Sequence, residues 1–145
     1  MEIKKAKKLA RDLMDQNGLS DWSLKFDNAL LRFGNCRHAF RTISLSWRLI
    51  RINEEERVRK TILHEIAHAK AGKGVGHSAV WRHECLALGI KPVRCYEITN
   101  TNVPVAPITY KCIACGHEFG RYKAINPGKL PAYKHIKCGG GLTRI

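Results

Sequence analysis

The chain has 145 residues, enough for one modest domain and a small metal-stapled unit but not for several independent cores. Hydrophobic residues make up 44% of it, with three Trp, which argues against disorder, and no apolar run reaches the length of a membrane-spanning helix. Against 12 Asp and Glu stand 26 Lys and Arg, a formal charge of +14 that favours a polyanionic partner, most simply nucleic acid. The basic N-terminus lacks the apolar stretch of a signal peptide. The cytoplasm is therefore the expected compartment, and the six Cys are expected to stay reduced.

Residues 3–16 carry Ile3, Ala6, Leu9, Ala10, Leu13 and Met14 at helical spacing, with Lys4, Lys5, Lys8 and Arg11 on other faces. Asn17-Gly18 ends this helix. Residues 22–26 alternate as a short strand, and 30–33 and 39–45 read as two more, separated by Gly34-Asn35. Ile43 and Leu45 would share one face of the last. A small antiparallel sheet is the economical arrangement. Asn53 is the expected N-cap of a long helix over 54–71, with Glu56 completing a capping-box pair and Glu54 and Glu55 complementing the helix dipole. Val58, Ile62, Glu65 and, less closely, Ala69 track one side of it. A further helix is expected over 78–88, stopping at Gly89, with Trp81 packing near the first. From 90 to 108 the pattern is interrupted by Pro92, Pro104 and Pro107. One strand is expected around 94–98 and a boundary near Pro107, dividing the chain into 1–107 and 108–145.

Within the long helix stands His64-Glu65-Ile66-Ala67-His68, an H-E-x-x-H box. Residues four apart share a helix face, so both imidazoles can reach one ion. Zn²⁺ is the usual occupant, with Glu65 as general base. The flanking Ile62, Leu63, Ile66 and Ala67 bury the helix, and two buried imidazoles and a carboxylate need partners that a metal supplies. A catalytic zinc keeps three protein ligands and one open position. For the third ligand His77 is favoured over Glu84, because it follows Gly72-Lys73-Gly74-Val75-Gly76, a glycine-spaced turn that lets the chain double back. His83, beside Glu84, points about 100° away around a helix. Position 74 is Gly, so the longer H-E-x-x-H-x-x-G-x-x-H spacing is not followed.

Near the C-terminus, Cys112, Cys115, His135 and Cys138 form two knuckles, each with Gly just after its second ligand. They are expected to hold a structural zinc in a closed S₃N shell with no position left for chemistry. His117 is the alternative nitrogen ligand. So short a segment has little core, and metal binding should supply much of its folding free energy. Cys36, Cys85 and Cys95 stand singly and read as small buried apolar residues. After Glu97 the only acid is Glu118, whereas Lys111, Arg121, Lys123, Lys129, Lys134, Lys137 and Arg144 are basic. This segment is therefore the expected nucleic-acid contact, with Tyr110, Phe119, Tyr122 and Tyr133 among the charges as candidates for base stacking.

The stretch TILHEIAHA, the glycine-flanked Gly76-His77-Ser78 and Trp81 on the next helix resemble the SprT-like zinc metalloproteases, the SprT/Spartan group. The segment FGNCRHAFRTISLS at 33–46 looks like the strand pair of that family, in which a G-x-C segment precedes I-x-L-S. The resemblance runs from about residue 22 to 142. It extends to the C-terminal ribbon, where the family usually has four Cys and this chain has His135 at one position.

The resemblance implies an α+β fold, a zincin-like metalloprotease core of helices and a small antiparallel sheet, followed by the zinc ribbon. It also implies a DNA-dependent protease that trims proteins bound or crosslinked to DNA, with one catalytic and one structural Zn²⁺. The expected partners are single-stranded or partly unpaired DNA and the proteins on it, at the nucleoid if the source is bacterial or a phage. The competing expectation is a non-catalytic, zinc-containing, nucleic-acid-binding adaptor. Glu65 argues against it, since a structural H-x-x-x-H pair has no need of a carboxylate there.

Overall fold

Periodic apolar residues build the first element of the computed structural model, which describes residues 1–94 and 101–145. Helix α1 (Ile3–Gln16) buries Ala6, Ala10, Leu13 and Met14, positions that fall on one stripe of a 3.6-residue repeat. Three short strands follow: β1 (Ser23–Asp27), β2 (Gly34–Arg37) and β3 (Thr42–Ser46). Their order is β1-β3-β2. β2 runs antiparallel to β3, with Gly34 opposite Leu45, but β1 runs parallel to β3, with Ser23 opposite Thr42. The sheet is therefore mixed and not antiparallel. A parallel pair needs a crossover, and residues 28–41 supply it, including β2 itself and a 3₁₀ turn at His38–Phe40.

The expected strand over 30–33 does not form, and the Gly34-Asn35 turn expected after it is instead the start of β2. The Ser46 hydroxyl donates to the Ala29 carbonyl at 2.6 Å, and the Ser46 N–H donates to the Phe33 carbonyl at 2.8 Å. Segment 29–33 is thus committed to the end of β3. The strand expected over 39–45 begins only at Thr42, after Arg41 turns the chain at φ 43°.

Helix α2 (Trp47–Ile52), absent from the sequence expectations, starts directly after β3, its Leu49 N–H capped by the Ser46 hydroxyl at 3.2 Å. Helix α3 (Glu55–Ala71) begins after Glu54, which makes no side-chain cap. The expected cap, Asn53, is buried and used elsewhere. Its amide donates to the carbonyls of Leu49 and Asn102 and accepts from the Asn102 N–H, each at 2.8 Å. A missing cap costs about 1 kcal/mol, whereas each fully buried aliphatic side chain contributes about 1.5–3 kcal/mol. Val58, Ile62, Leu63 and Ile66 are all buried on α3, so packing, not capping, holds this helix.

Helix α4 (Ala79–Ala87) is one residue shorter at each end than expected and buries Trp81 and Cys85 beside Ala67 of α3. Cys36 is half-buried. The strand expected over 94–98 and the burial expected of Cys95 lie outside the described residues.

The chain divides into two compact units, Met1–Pro104 and Val105–Ile145. The second is a three-stranded antiparallel sheet of β4 (Ile108–Cys112), β5 (Glu118–Arg121) and β6 (Leu142–Arg144) in the order β5-β4-β6, with a 3₁₀ segment at Pro127–Ala132. Its core is small: Tyr110, Cys112, Ile125 and Leu142, backed by Ile108, Phe119 and Leu130. The architecture is α+β. Among the described residues no helix is long and apolar enough to cross a membrane.

Candidate metal centre

The first unit brings three imidazoles to one point. His64 and His68 project from the same face of α3, one turn apart. The third arrives from the loop after it. Gly72, Gly74 and Gly76 all have positive φ, at 102°, 80° and 52°, conformations that a side chain disfavours, and the reversal they allow returns His77 to the helix. The Nε2 atoms of His68 and His77 are 3.2 Å apart and those of His77 and His64 are 3.4 Å apart. Three ring nitrogens aimed at one another are not a chain of hydrogen bonds. Ligands of a tetrahedral ion with bonds of about 2.0–2.1 Å stand roughly 3.3–3.4 Å apart, so this donor set fits zinc.

Trp81 of α4 is the floor of the cluster. It stacks on His68 at 5.3 Å between centroids and meets His64 and His77 edge-on at 4.8 and 4.5 Å. Burial, then the neighbouring histidines and Arg57, lower the His64 pKa to about 3. Burial, then His77 and His38, lower that of His68 to about 4. His77 is lowered as well, by burial and then by Arg94. Each shift favours the neutral ring, whose lone pair is the form a metal requires.

Glu65 lies beside this cluster and is only 7% exposed. Burial raises its pKa to about 8, opposed by the charge of Arg32. His64, Glu65, His68 and His77 all line a cleft of about 1430 Å³ that also runs past Gly34 and Cys36 of β2. Glu84, the other candidate for third ligand, is turned to Lys70 at 3.7 Å, and neither it nor His83 belongs to the cluster.

Two contacts around this site had no signal in the sequence. His38 places Nε2 at 2.9 Å from the His68 carbonyl oxygen. An oxygen can only accept there, so His38 donates and ties the last turn of α3 to the end of β2. Gly34 lies against the side chain of Glu65. A histidine bonded to a backbone carbonyl and a glycine valued for its emptiness both look unremarkable in a sequence.

The second unit gathers Cys112, Cys115, His135 and Cys138, whose ligand atoms lie within 4.8 Å of one another. Cys112 and Cys138 sulfurs are 3.4 Å apart, and His135 Nδ1 is 3.3 Å from Cys115 Sγ and 3.2 Å from Cys138 Sγ. The backbone N–H of Cys115 leads the contacts that lower the Cys112 thiol to about 7. For Cys138 the Gly140 N–H pulls down, but the Cys112 and Cys115 thiols together carry it up. Three sulfurs and one nitrogen fit a closed structural zinc site. His117 stacks on His135 at 5.1 Å and stays outside the group. Tyr110, expected among the stacking candidates, is 1% exposed and its hydroxyl accepts from the Ile125 N–H at 3.0 Å, so it serves the core. Tyr133 is 41% exposed, with Arg121 over its ring at 5.7 Å.

Residues 4–104 match the SprT-like family. None of the curated proteins matches the chain. Among solved structures, the crystal structure of the metallopeptidase zymogen of Pyrococcus abyssi abylysin is 22% identical with a TM-score of 0.45, covering 55% of this chain and 74% of that one.

Proposed function

This chain belongs to the SprT-like family, a membership that supports a metalloprotease-type function, and we propose from that premise that it is a zinc-dependent endopeptidase. The observation that carries the proposal is the convergence of three imidazoles beside one buried carboxylate, in an open cleft. His64, His68 and His77 would hold the ion. When bound there, zinc supplies a Lewis acid that makes water nucleophilic near neutral pH and stabilises charge developing on a peptide carbonyl. Glu65 takes the proton from the attacking water and returns it to the leaving amine. Among the described residues no strand pairs with the outer edge of β2. That edge borders the cleft and offers backbone groups to an extended peptide.

The proposal extends to DNA. The second unit carries seven Lys and Arg against the single Glu118. Lys111, Lys123, Lys129, Lys134, Lys137 and Arg144 are exposed, and Tyr133 and Arg121 offer a ring and a guanidinium to unpaired bases. A ribbon holding the second zinc would bring the protease to proteins bound or crosslinked to single-stranded or partly unpaired DNA, in the cytoplasm or at a nucleoid. The same charge suits a non-catalytic adaptor, and the carboxylate decides between them. Glu65→Gln should retain zinc and fold while cleavage of fluorescein-labelled casein, with or without single-stranded DNA, falls by about 10²–10⁴-fold. Undiminished cleavage in that variant would leave the assignment of Glu65 without support.

A further inference from the structure

Gly34 opens β2, and the room its missing side chain leaves is filled by Glu65. A Cβ built on Gly34 would lie 2.8 Å from both Cγ and Oε1 of Glu65 and 3.1 Å from its Cδ, inside van der Waals contact. Backbone conformation does not explain the glycine. Gly34 is not among the residues of positive φ, and it pairs with Leu45 in regular antiparallel register, where alanine is conformationally at ease. The position demands space alone.

Glu65 has little freedom to yield that space. Its helix is pinned by Ile62 and Ile66, both fully buried, and its carboxylate rests along β2. Cys36, two residues further and so on the same face of the strand, registers the contact. Burial, then the charge of Glu65, raises its thiol pKa to about 12.

We propose that Gly34 is a positioning residue for Glu65: the absent side chain sets where the carboxylate rests beside the histidine cluster, and a larger residue displaces it while leaving the three imidazoles in place. The functional half of this inference rests on Glu65 as the proton carrier, whereas the contact itself does not.

Two measurements on the zinc-loaded full chain separate those halves. Thermal unfolding of Gly34→Ala, Glu65→Ala and the double variant tests the contact. Gly34→Ala should lower Tm by about 4–8 °C in the wild-type background and by less than half as much with Glu65→Ala, where the obstructing carboxylate is gone. Equal losses in both backgrounds overturn the contact. Kinetics on labelled casein test positioning. Gly34→Ala should lower kcat by about 10–100-fold with KM within about twofold and zinc content unchanged. Arg48→Ala, on α2 with its guanidinium over Trp47 at 4.8 Å, should leave kcat unaltered. A wild-type kcat in Gly34→Ala, with Glu65→Gln inactive, overturns the positioning role alone. Full activity in Glu65→Gln overturns the role of Glu65 and the positioning role with it.

Discussion

In the first unit three imidazoles meet from one helix and one glycine loop, over a tryptophan floor, with a buried carboxylate beside them and a cleft in front. In the second, three thiols and one imidazole meet from two knuckles, with Cys115 and Cys138 exposed and no acidic residue in the group. The first set would leave a tetrahedral ion one position short, with a buried carboxylate nearby. The second closes the shell. The core sizes differ in the same sense. Among the described residues the main core of the first unit has fifteen buried apolar residues, that of the second four. A fold with its own core can devote a metal to chemistry, whereas a unit with almost none needs the metal to fold.

That contrast predicts opposite consequences for removing a ligand. Cys138→Ser should cost the second unit its zinc and its fold, while the first unit keeps its metal and its basal cleavage of labelled casein. Zinc content should drop from about two per chain to about one, and stimulation of cleavage by single-stranded DNA should disappear with the salt-dependent DNA binding. Stimulation that survives the loss of the ribbon would move the DNA contact to the first unit, where Lys4, Lys5 and Lys7 are exposed on α1.

A smaller difference should appear in protons. His64 and His68, at about 3 and 4, are already deprotonated at pH 7, so loading the first site should release almost none from its ligands. The ribbon has thiols at and above 7 and should release at least about one. Calorimetry of the metal-free wild type and of Cys138→Ser in two buffers of different ionisation enthalpy measures both. Equal release from the two sites would contradict the contrast. The sign of the acid response follows from the same values. Histidines whose folded pKa lies below the unfolded 6.5 bind fewer protons in the fold than in the unfolded chain. They therefore cost the metal-free first unit stability as pH falls from about 6.5 towards 4.

Much of this was legible in the sequence because it is local. Helix α1 follows from a repeat of apolar residues, the shared face of His64 and His68 on α3 from a spacing of four, and the return of His77 from three glycines in five residues. What could not be read depends on partners distant in the chain. The apolar residues of Trp47–Ile52 fit helix or strand, and the cap that Ser46 gives their helix at the end of β3 is seen only in the fold. Asn53 has the composition of a cap but is captured by Asn102, 49 residues away. The parallel pairing of β1 with β3 is a register set by the sheet, not by either strand. Gly34 resembles a turn residue until Glu65, 31 positions later, is seen against it.

The most direct test of the central claim is zinc content and casein cleavage measured together on wild type and His68→Ala. The account predicts a fall from about two zinc ions per chain to about one, with cleavage lost and the ribbon intact. Zinc that stays near two, or cleavage that persists, would contradict the assignment of the His64/His68/His77 cluster as the catalytic centre.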